Sequence, residues 1–343
     1  MITTVLSGGL IGLIFGFILQ RTRFCLTGGF RDMYIARNNT LFYAFLIAIT
    51  VESIGVLSLI KLGIIGNPYE EFSVLGAIVG SYLFGIGIVL AGGCATGTWY
   101  RAGEGLLGSG VALFFYMTSA AAMKSGFLVP LNQLIAKRWV INDDLAGQLG
   151  IPVWYFLVFL VAITSFVVIR ELRKPRRQIA SLPSKYKGVR HYLFEKTYHK
   201  YFAGLLIGLV AFIAWPASQL TGRVGGLGIT TPSAHLISYI ITGDSKQLGW
   251  GVFLVLGIFL GSFLAAKGSR EFRWRLPDLS TIGKSTLGGI FMGIGASWAG
   301  GCTIGNGLTA TAIFSSKGWI ALPVTILGVW TASHIIFVKP SKN

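Results

Sequence analysis

The chain reads as an all-α integral membrane protein of about nine transmembrane helices and four re-entrant hairpin loops, arranged as two inverted-topology repeats. Three observations predict this: a charge-poor apolar composition, nine apolar runs separated by short polar segments, and a glycine–cysteine cassette that occurs twice. Hydrophobic residues make up 53% of the 343 and charged residues only 12%, against the roughly 25% charged of a soluble domain. Mean hydropathy is +0.69. The net charge of +17 does not point to nucleic acid. Its cations lie in short segments between apolar runs, where they face lipid headgroups and anionic solutes. Met1–Gln20 has no charged start and no small-residue cleavage site, so its apolar run reads as a span rather than a signal peptide.

The runs lie at 3–18, 41–62, 73–91, 108–129, 152–169, 202–216, 249–266, 286–299 and 318–338. A span needs about 20 residues, so the short runs 202–216 and 286–299 must be completed by the glycine-rich stretches that follow them. The segments between runs set orientation by the positive-inside rule. The insert Arg170–Lys200 holds Arg173, Lys174, Arg176, Arg177, Lys185, Lys187, Arg190 and Lys196 against Glu171 and Glu195, and belongs in the cytoplasm. Lys267–Lys284, with Arg270, Arg273 and Arg275, and Arg21–Arg37, with Arg23 and Arg31, group with it. Gly66–Phe72, with Glu70 and Glu71, and Pro130–Gly150, with Asp143 and Asp144 against Lys137 and Arg138, fit the outside.

One organisation meets these constraints. Residues 1–129 form a first repeat of four spans and two re-entrant loops, 130–200 an extra span and basic linker, and 201–343 a second repeat. The single extra span inverts the second half. The N-terminus is then outside, and the tail with Lys339 and Lys342 is cytoplasmic. Gln20–Arg37, Gly92–Leu107, Gln219–Ile241 and Gly300–Ser316 are the four excursions, too apolar for ordinary loops and too rich in Gly, Thr and Arg for plain spans. Irregular backbone survives at membrane depth only where protein buries it or a polar cavity solvates it. Broken-helix N-termini there offer free N–H groups and a positive dipole end to an anion.

The cassette joins Gly85-Ile86-Gly87 to Ala91-Gly92-Gly93-Cys94, and again Gly293-Ile294-Gly295 to Ala299-Gly300-Gly301-Cys302. At an offset of 208 residues the windows 85–97 and 293–305 agree at eight of thirteen positions. Glycine permits sharp bends and close approach of backbone or ligand, so Gly92, Gly93, Gly300 and Gly301 are candidate binding positions beside Cys94 and Cys302. Cys25, in Arg23-Phe24-Cys25-Leu26-Thr27-Gly28-Gly29, is the third cysteine, and its counterpart in the second half falls near Gln219–Gly222, without a thiol. A single buried cysteine usually only fills space. Three of three beside glycine turns, two of them related by a repeat, point instead to a site.

No catalytic residue, metal or cofactor emerges. The histidines His191, His199, His235 and His334 form no zinc spacing, and no C-x-x-C or H-E-x-x-H occurs. Gly300–Gly307 lacks the lysine and hydroxyl of a phosphate-binding loop. Arg23 and Arg101 flank the thiols as anion-attracting candidates, with Arg101 expected to pair with Glu104 three residues on. Glu52, inside the span 41–62, is expected to hydrogen-bond a neighbouring helix rather than couple protons, Lys124 to snorkel to the interface, and His235 receives no role.

These motifs resemble the YeeE/YedE family: the two Ala-Gly-Gly-Cys cassettes, the Thr96-Gly97-Thr98-Trp99 and Ile304-Gly305-Asn306-Gly307 that follow them, and Arg23-Phe24-Cys25. The resemblance spans nearly the whole chain and is strongest to the thiosulfate-uptake branch. It implies an inner-membrane protein that imports the thiosulfate ion for cysteine synthesis beside a TusA-like cytoplasmic sulfur carrier, with essential cysteines at Cys25, Cys94 and Cys302. Neutral thiols would then relay the ion by weak S–H hydrogen bonds without covalent chemistry. The alternatives are a transporter of another sulfur or selenium species and a membrane sulfurtransferase.

Overall fold

The computed structural model describes residues 2–173, 188–196 and 198–339. Of the expected cytoplasmic cations, Lys174, Arg176, Arg177, Lys185, Lys187 and Lys342 lie outside them. The described chain is almost wholly helical, and a helix occupies each of the nine apolar runs: α1 (Ile2–Thr22), α3 (Thr40–Lys61), α4 (Val74–Leu90), α6 (Leu107–Ser125), α9 (Val153–Leu172), α11 (Lys200–Gln219), α13 (Trp250–Gly268), α14 (Leu279–Trp298) and α15 (Ser316–Ser333). Seven helical stretches are long and apolar enough to cross a membrane. In an eighth, α6 pairs with α7 (Val129–Ala136) across a 72° bend. The ninth, α14, is more polar because Ser280, Thr281, Lys284 and Ser285 crowd its first turns. It is nevertheless interior, packed along α4 and α6.

Each excursion is a break in the backbone followed by a short helical piece. These are α2 (Leu26–Ile35), α5 (Ala95–Gly103), α12 (Thr230–Thr242) and a π-helical turn, Gly305–Ala310. The remaining helices are the short α8 (Leu145–Leu149) and α10 (Val189–Phe194). A two-stranded antiparallel ribbon, β1 (Glu71–Ser73) with β2 (Val140–Asn142), closes one end in the register Glu71↔Asn142. It joins the two segments, Gly66–Phe72 and Pro130–Gly150, that the charge rule places on one face. At the other end Arg21 donates to the Leu193 carbonyl (2.8 Å), Gln20 to Glu271 (2.8 Å) and Lys200 to the Thr22 carbonyl (2.6 Å). The three basic segments thus meet as well.

Packing follows the repeat. Glycines let backbones approach where lipid supplies no hydrophobic drive for helix association. Gly80 faces Gly295 and Gly87 faces Gly288, so α4 and α14 run antiparallel, and a shift of 208 residues turns either contact into the other. On the flanks Gly8, Gly12 and Gly16 of α1 meet Trp250, Leu254 and Ile258 of α13 in parallel, as Gly204 and Gly208 of α11 meet Ala44 and Ala48 of α3. Under the same shift α3 overlies α13, and α6 overlies α15. Helices of one half therefore pack on inverted helices of the other, which is the geometry of inverted topology. The residue before α2 is Cys25 and the residue before α12 is Ile229. Ile229, rather than the Gln219–Gly222 stretch, is thus the structural counterpart of Cys25, because the second half inserts a longer loop after α11.

A Cβ at Gly12 or Gly16 would strike the carbonyl oxygens of Leu254 or Ile258, whereas Gly9, one residue away, meets nothing within 4 Å. Gly12→Val should therefore destabilise the protein by about 1–3 kcal/mol, the usual cost of overpacking. Gly9→Val should leave the thermal unfolding midpoint of detergent-solubilised protein where it is. Equal midpoints for the two variants would refute this account of α1–α13 packing.

Candidate functional site

Cys25 and Cys94 occupy equivalent places, each the residue that precedes a short helix, α2 or α5. The Cys94 sulfur accepts the Gly97 N–H at 3.4 Å, so the thiol sits among the free amides at the positive end of α5. Cys302 precedes the π-helical turn, with its carbonyl accepting the Asn306 N–H at 2.8 Å. The Asn306 side-chain amide spans the break by donating to the carbonyls of Ala299 (2.8 Å) and Gly301 (3.2 Å). Gly92 and Gly300 have φ of +68° and +70°, a left-handed bend that costs little only without a Cβ. The cassette is thus a helix terminator that ends on a thiol.

All three cysteines are free and buried, at 6%, 4% and 2% exposure for Cys25, Cys94 and Cys302. Cys94 lies within electrostatic reach of both Cys25 and Cys302. The cassette glycines open on different cavities. Gly300, Gly301 and Cys302 line one of about 260 Å³, together with Arg223, Lys317 and Thr309. Gly92 lines another of about 140 Å³ with Thr27, Gly28 and Arg101, and a third of about 270 Å³ with Arg101 and Arg275. The first cavity shares its wall with Glu70 and Asp143 of the acidic end, and the third lies beside the basic segment Lys267–Lys284. The Cys302 cavity and the 140 Å³ cavity at Gly92 and Arg101, which Arg31 of the basic segment Arg21–Arg37 also lines, are two chambers toward opposite ends of the molecule. A larger apolar hollow of about 520 Å³ beside Leu57, Ile60 and Trp154 contains no thiol.

The cations divide differently from the expectation. Arg101 does not pair with Glu104. Its guanidinium donates to the Gly92 carbonyl and to the Tyr100 hydroxyl (3.3 Å), and among the described residues it has no carboxylate within ion-pair distance. Glu104, 4% exposed, is taken instead by Arg23, whose Nη1 bonds both carboxylate oxygens at 2.9 and 2.8 Å while Nη2 reaches Glu271 at 2.8 Å. Glu104 caps the end of α5, and there the tertiary partner outcompetes the neighbour on its own turn. Burial pushes the Glu271 carboxyl up, but its hydrogen bond from Gln20 and the guanidiniums of Arg23 and Arg21 hold it below the ordinary carboxylate range. Arg23 is neutralised by this knot, and Arg101 is the cation left to face the thiols.

Glu52 is fully buried and accepts the Trp215 indole N–H at 2.9 Å from α11, the inter-helix bond expected of it. Lys124 does not snorkel but donates to the Thr231 hydroxyl at 2.6 Å. Two functional candidates escaped the sequence reading. Arg223 sits over the Trp250 ring (5.5 Å) with its Nη1 on the carbonyls of Gly225 and Gly226. Lys317 lies 3.7 Å from Asp143, which also accepts from the Ser315 hydroxyl (2.6 Å) and the Lys317 amide (2.8 Å). Their signal was their place inside or just after an excursion, the same criterion that selected Arg23 and Arg101.

A family profile described as sulphur transport matches residues 21–331, which include all three cysteines. The chain belongs to the sulphur transport family. It is a membrane transport protein of the YeeE/YedE type, as the duplicated cassette suggested. It is 53% identical over 343 residues to the thiosulfate transporter TsuA of Escherichia coli, covering 100% of this chain and 97% of that one. It is 34% identical over 345 residues to the thiosulfate transporter TsuA of Spirochaeta thermophila, covering 96% and 98%. A shorter likeness, 43% over 96 residues, links 28% of the chain to 23% of the probable transporter YedE of Escherichia coli.

The reassignment of Glu104 makes a quantitative expectation. A double-mutant cycle on Arg23→Met and Glu104→Gln, read from unfolding midpoints, should give a coupling of roughly 1–3 kcal/mol, the range for partners in one buried network. The cycle on Arg101→Met and Glu104→Gln should give a clearly smaller one. The reverse order would restore the i,i+3 pairing.

Proposed function

We propose that the protein imports thiosulfate across the bacterial inner membrane, passing the ion between the two chambers along Cys302, Cys94 and Cys25. The observation that carries this reading is the set of three buried thiols beside two cation-bearing cavities, Cys302 lining one and the Gly92 bend next to Cys94 lining the other. Likeness over full length to two proteins named as thiosulfate transporters supports the choice of ion. The positive-inside rule supports the direction, with the N-terminus and the Cys302 chamber outside and the C-terminus and the basic segments in the cytoplasm. The delivered sulfur would feed cysteine synthesis, and a TusA-like carrier is the proposed cytoplasmic acceptor.

The chemistry fits the ion. Thiosulfate is a dianion with one soft sulfur and three hard oxygens. Arg223 and Lys317 lower the energy of the dianion in the outer chamber, and Arg101 does so beyond the thiols. Between them, neutral thiols are weak S–H donors to the terminal sulfur, while the amides at the start of α5 bind the oxygens. Each station is weak enough to release the ion to the next, the condition for conduction. Thiolates would repel a dianion, so the path requires S–H groups and forms no covalent intermediate.

Purified protein in liposomes should take up intact labelled thiosulfate without an acceptor or reductant. Delivery only of sulfur transferred to an acceptor, or a persulfide trapped on Cys94 during turnover, would favour the membrane sulfurtransferase. Preferred uptake of selenite or sulfite over thiosulfate in competition would reassign the substrate. Within the path, Cys94→Ala, Cys302→Ala and Arg101→Met should each lower uptake roughly tenfold or more, the scale of a lost charge-assisted hydrogen bond. Lys317→Gln combined with Arg223→Gln should instead raise KM with little change in maximal rate, and should flatten the loss of uptake with added salt, because these groups act on capture.

A further inference from the structure

The cytoplasmic-facing end of α6 and α14 carries a cleft distinct from the Cys302 cavity and from the 140 Å³ cavity at Gly92. One part, about 480 Å³, is walled by Leu107, Val111, Phe114, Phe115, Leu276 and Ile282. The adjoining part, about 270 Å³, is polar at Arg275, Ser109, Thr281 and Ser285. Leu276 and Pro277 line both parts, so they form one amphipathic hollow with a cationic end.

The hollow is built by the backbone. The Arg275 N–H donates to the Gly105 carbonyl (3.0 Å) and the Leu107 N–H to the Arg275 carbonyl (3.2 Å), which holds this segment against the start of α6. Among the described residues the Arg275 guanidinium has no carboxylate within ion-pair distance. The nearest acid in sequence, Asp278, is engaged by the Thr281 hydroxyl. Trp274, Leu276 and Leu279 are 70%, 85% and 87% exposed around the mouth, the composition of a membrane–water interface rather than of a face open to water.

The geometry points to a binding site for one anionic phospholipid of the inner leaflet, with an acyl chain between Phe114, Phe115 and Ile282 and the headgroup phosphate on Arg275. Charge complementarity selects this occupant. A zwitterionic lipid would fill the apolar part equally well, but the cation of its own headgroup offsets the phosphate that it presents to Arg275, whereas an anionic headgroup meets Arg275 with an uncompensated charge. A free anion would satisfy Arg275 and leave the apolar part unfilled. The headgroup end shares Ala91, Gly92 and Arg101 with the inner side of the first cassette, so the bound lipid would border the exit chamber without lying in the thiol path. The inference does not depend on which sulfur species is carried.

The test is native mass spectrometry on delipidated protein in neutral detergent, titrated with phosphatidylglycerol or phosphatidylcholine of identical chains. Phosphatidylglycerol should be retained about fivefold better, the weight of one cation near an anionic headgroup. Arg275→Gln should remove that preference. Gly110→Leu, placed where Gly110 lines the apolar part and meets nothing within 4 Å, should lower retention of both lipids. Both variants should keep the wild-type unfolding midpoint in detergent. Equal retention of the two lipids by the wild type, an unchanged preference in Arg275→Gln, or displacement of phosphatidylglycerol by inorganic phosphate would each overturn the proposal, the last by making the hollow a soluble-anion site.

Discussion

The antiparallel glycine contact between α4 and α14 decides where the sulfur chemistry can sit. Gly80 against Gly295 and Gly87 against Gly288 bring two helix backbones to a separation that no side chain would allow. Because the helices run in opposite directions, their C-terminal ends lie toward opposite faces, and each ends in an Ala-Gly-Gly-Cys bend. The left-handed turns at Gly92 and Gly300 then break each helix just before its thiol, and Cys94 and Cys302 lie within electrostatic reach of each other. Displace this contact and the two thiols lose their common neighbourhood, whatever else remains folded. In lipid, where apolar surface has no reason to leave its surroundings, such van der Waals closeness is the principal source of helix association.

The departures from symmetry give the molecule its two ends. Cys25 has Ile229 as counterpart, so thiols stand two to one across the halves. Arg23 adopts a left-handed backbone, φ +52°, uncommon for a residue with a Cβ, and its guanidinium ties the Cys25 break to Glu104 at the end of α5 and to Glu271 beyond α13. That knot spans three elements on one face. The other face has the β1–β2 ribbon and Asp143, which accepts from the Ser315 hydroxyl and the Lys317 amide at the start of α15. Both faces are thus tied across the chain, one around Arg23 and the other around the ribbon and Asp143. On the ribbon side a cavity lined by Cys302 opens between the elements.

Much of this was legible in the sequence because lipid makes a strict solvent. Nine apolar runs of near-span length had few alternatives to nine helices, and the offset of 208 residues already aligned α3 with α13 as well as the cassettes. Even α14, with its polar first turns, was visible as the short apolar run 286–299. The contacts that depend on tertiary choice were not legible. Glu104 had an arginine at helical spacing, but α5 ends at Gly103 and turns its cap toward Arg23, 81 residues away in sequence. Strands of three residues, such as β1 and β2, carry no periodicity to read. Arg223 and Lys317 were single cations in a chain with a net charge of +17, and nothing local distinguishes a cation that faces a cavity from one that faces lipid headgroups.

On the proposed path, the placement of charge explains why thiols rather than cations stand between the two chambers. A guanidinium at the centre would bind a dianion deeply, since opposite charges attract more strongly as the dielectric falls, and a deep well slows release. Bare hydrocarbon would leave a desolvated ion with no partner at all. A thiol lies between these limits: it has one weak donor, little polarity to desolvate when the ion is absent, and a polarizable surface suited to a soft sulfur. Its burial is therefore inexpensive in the empty protein and moderately favourable in the loaded one. Cations belong at the two sides, and Arg223 and Lys317 line one chamber and Arg101 the other.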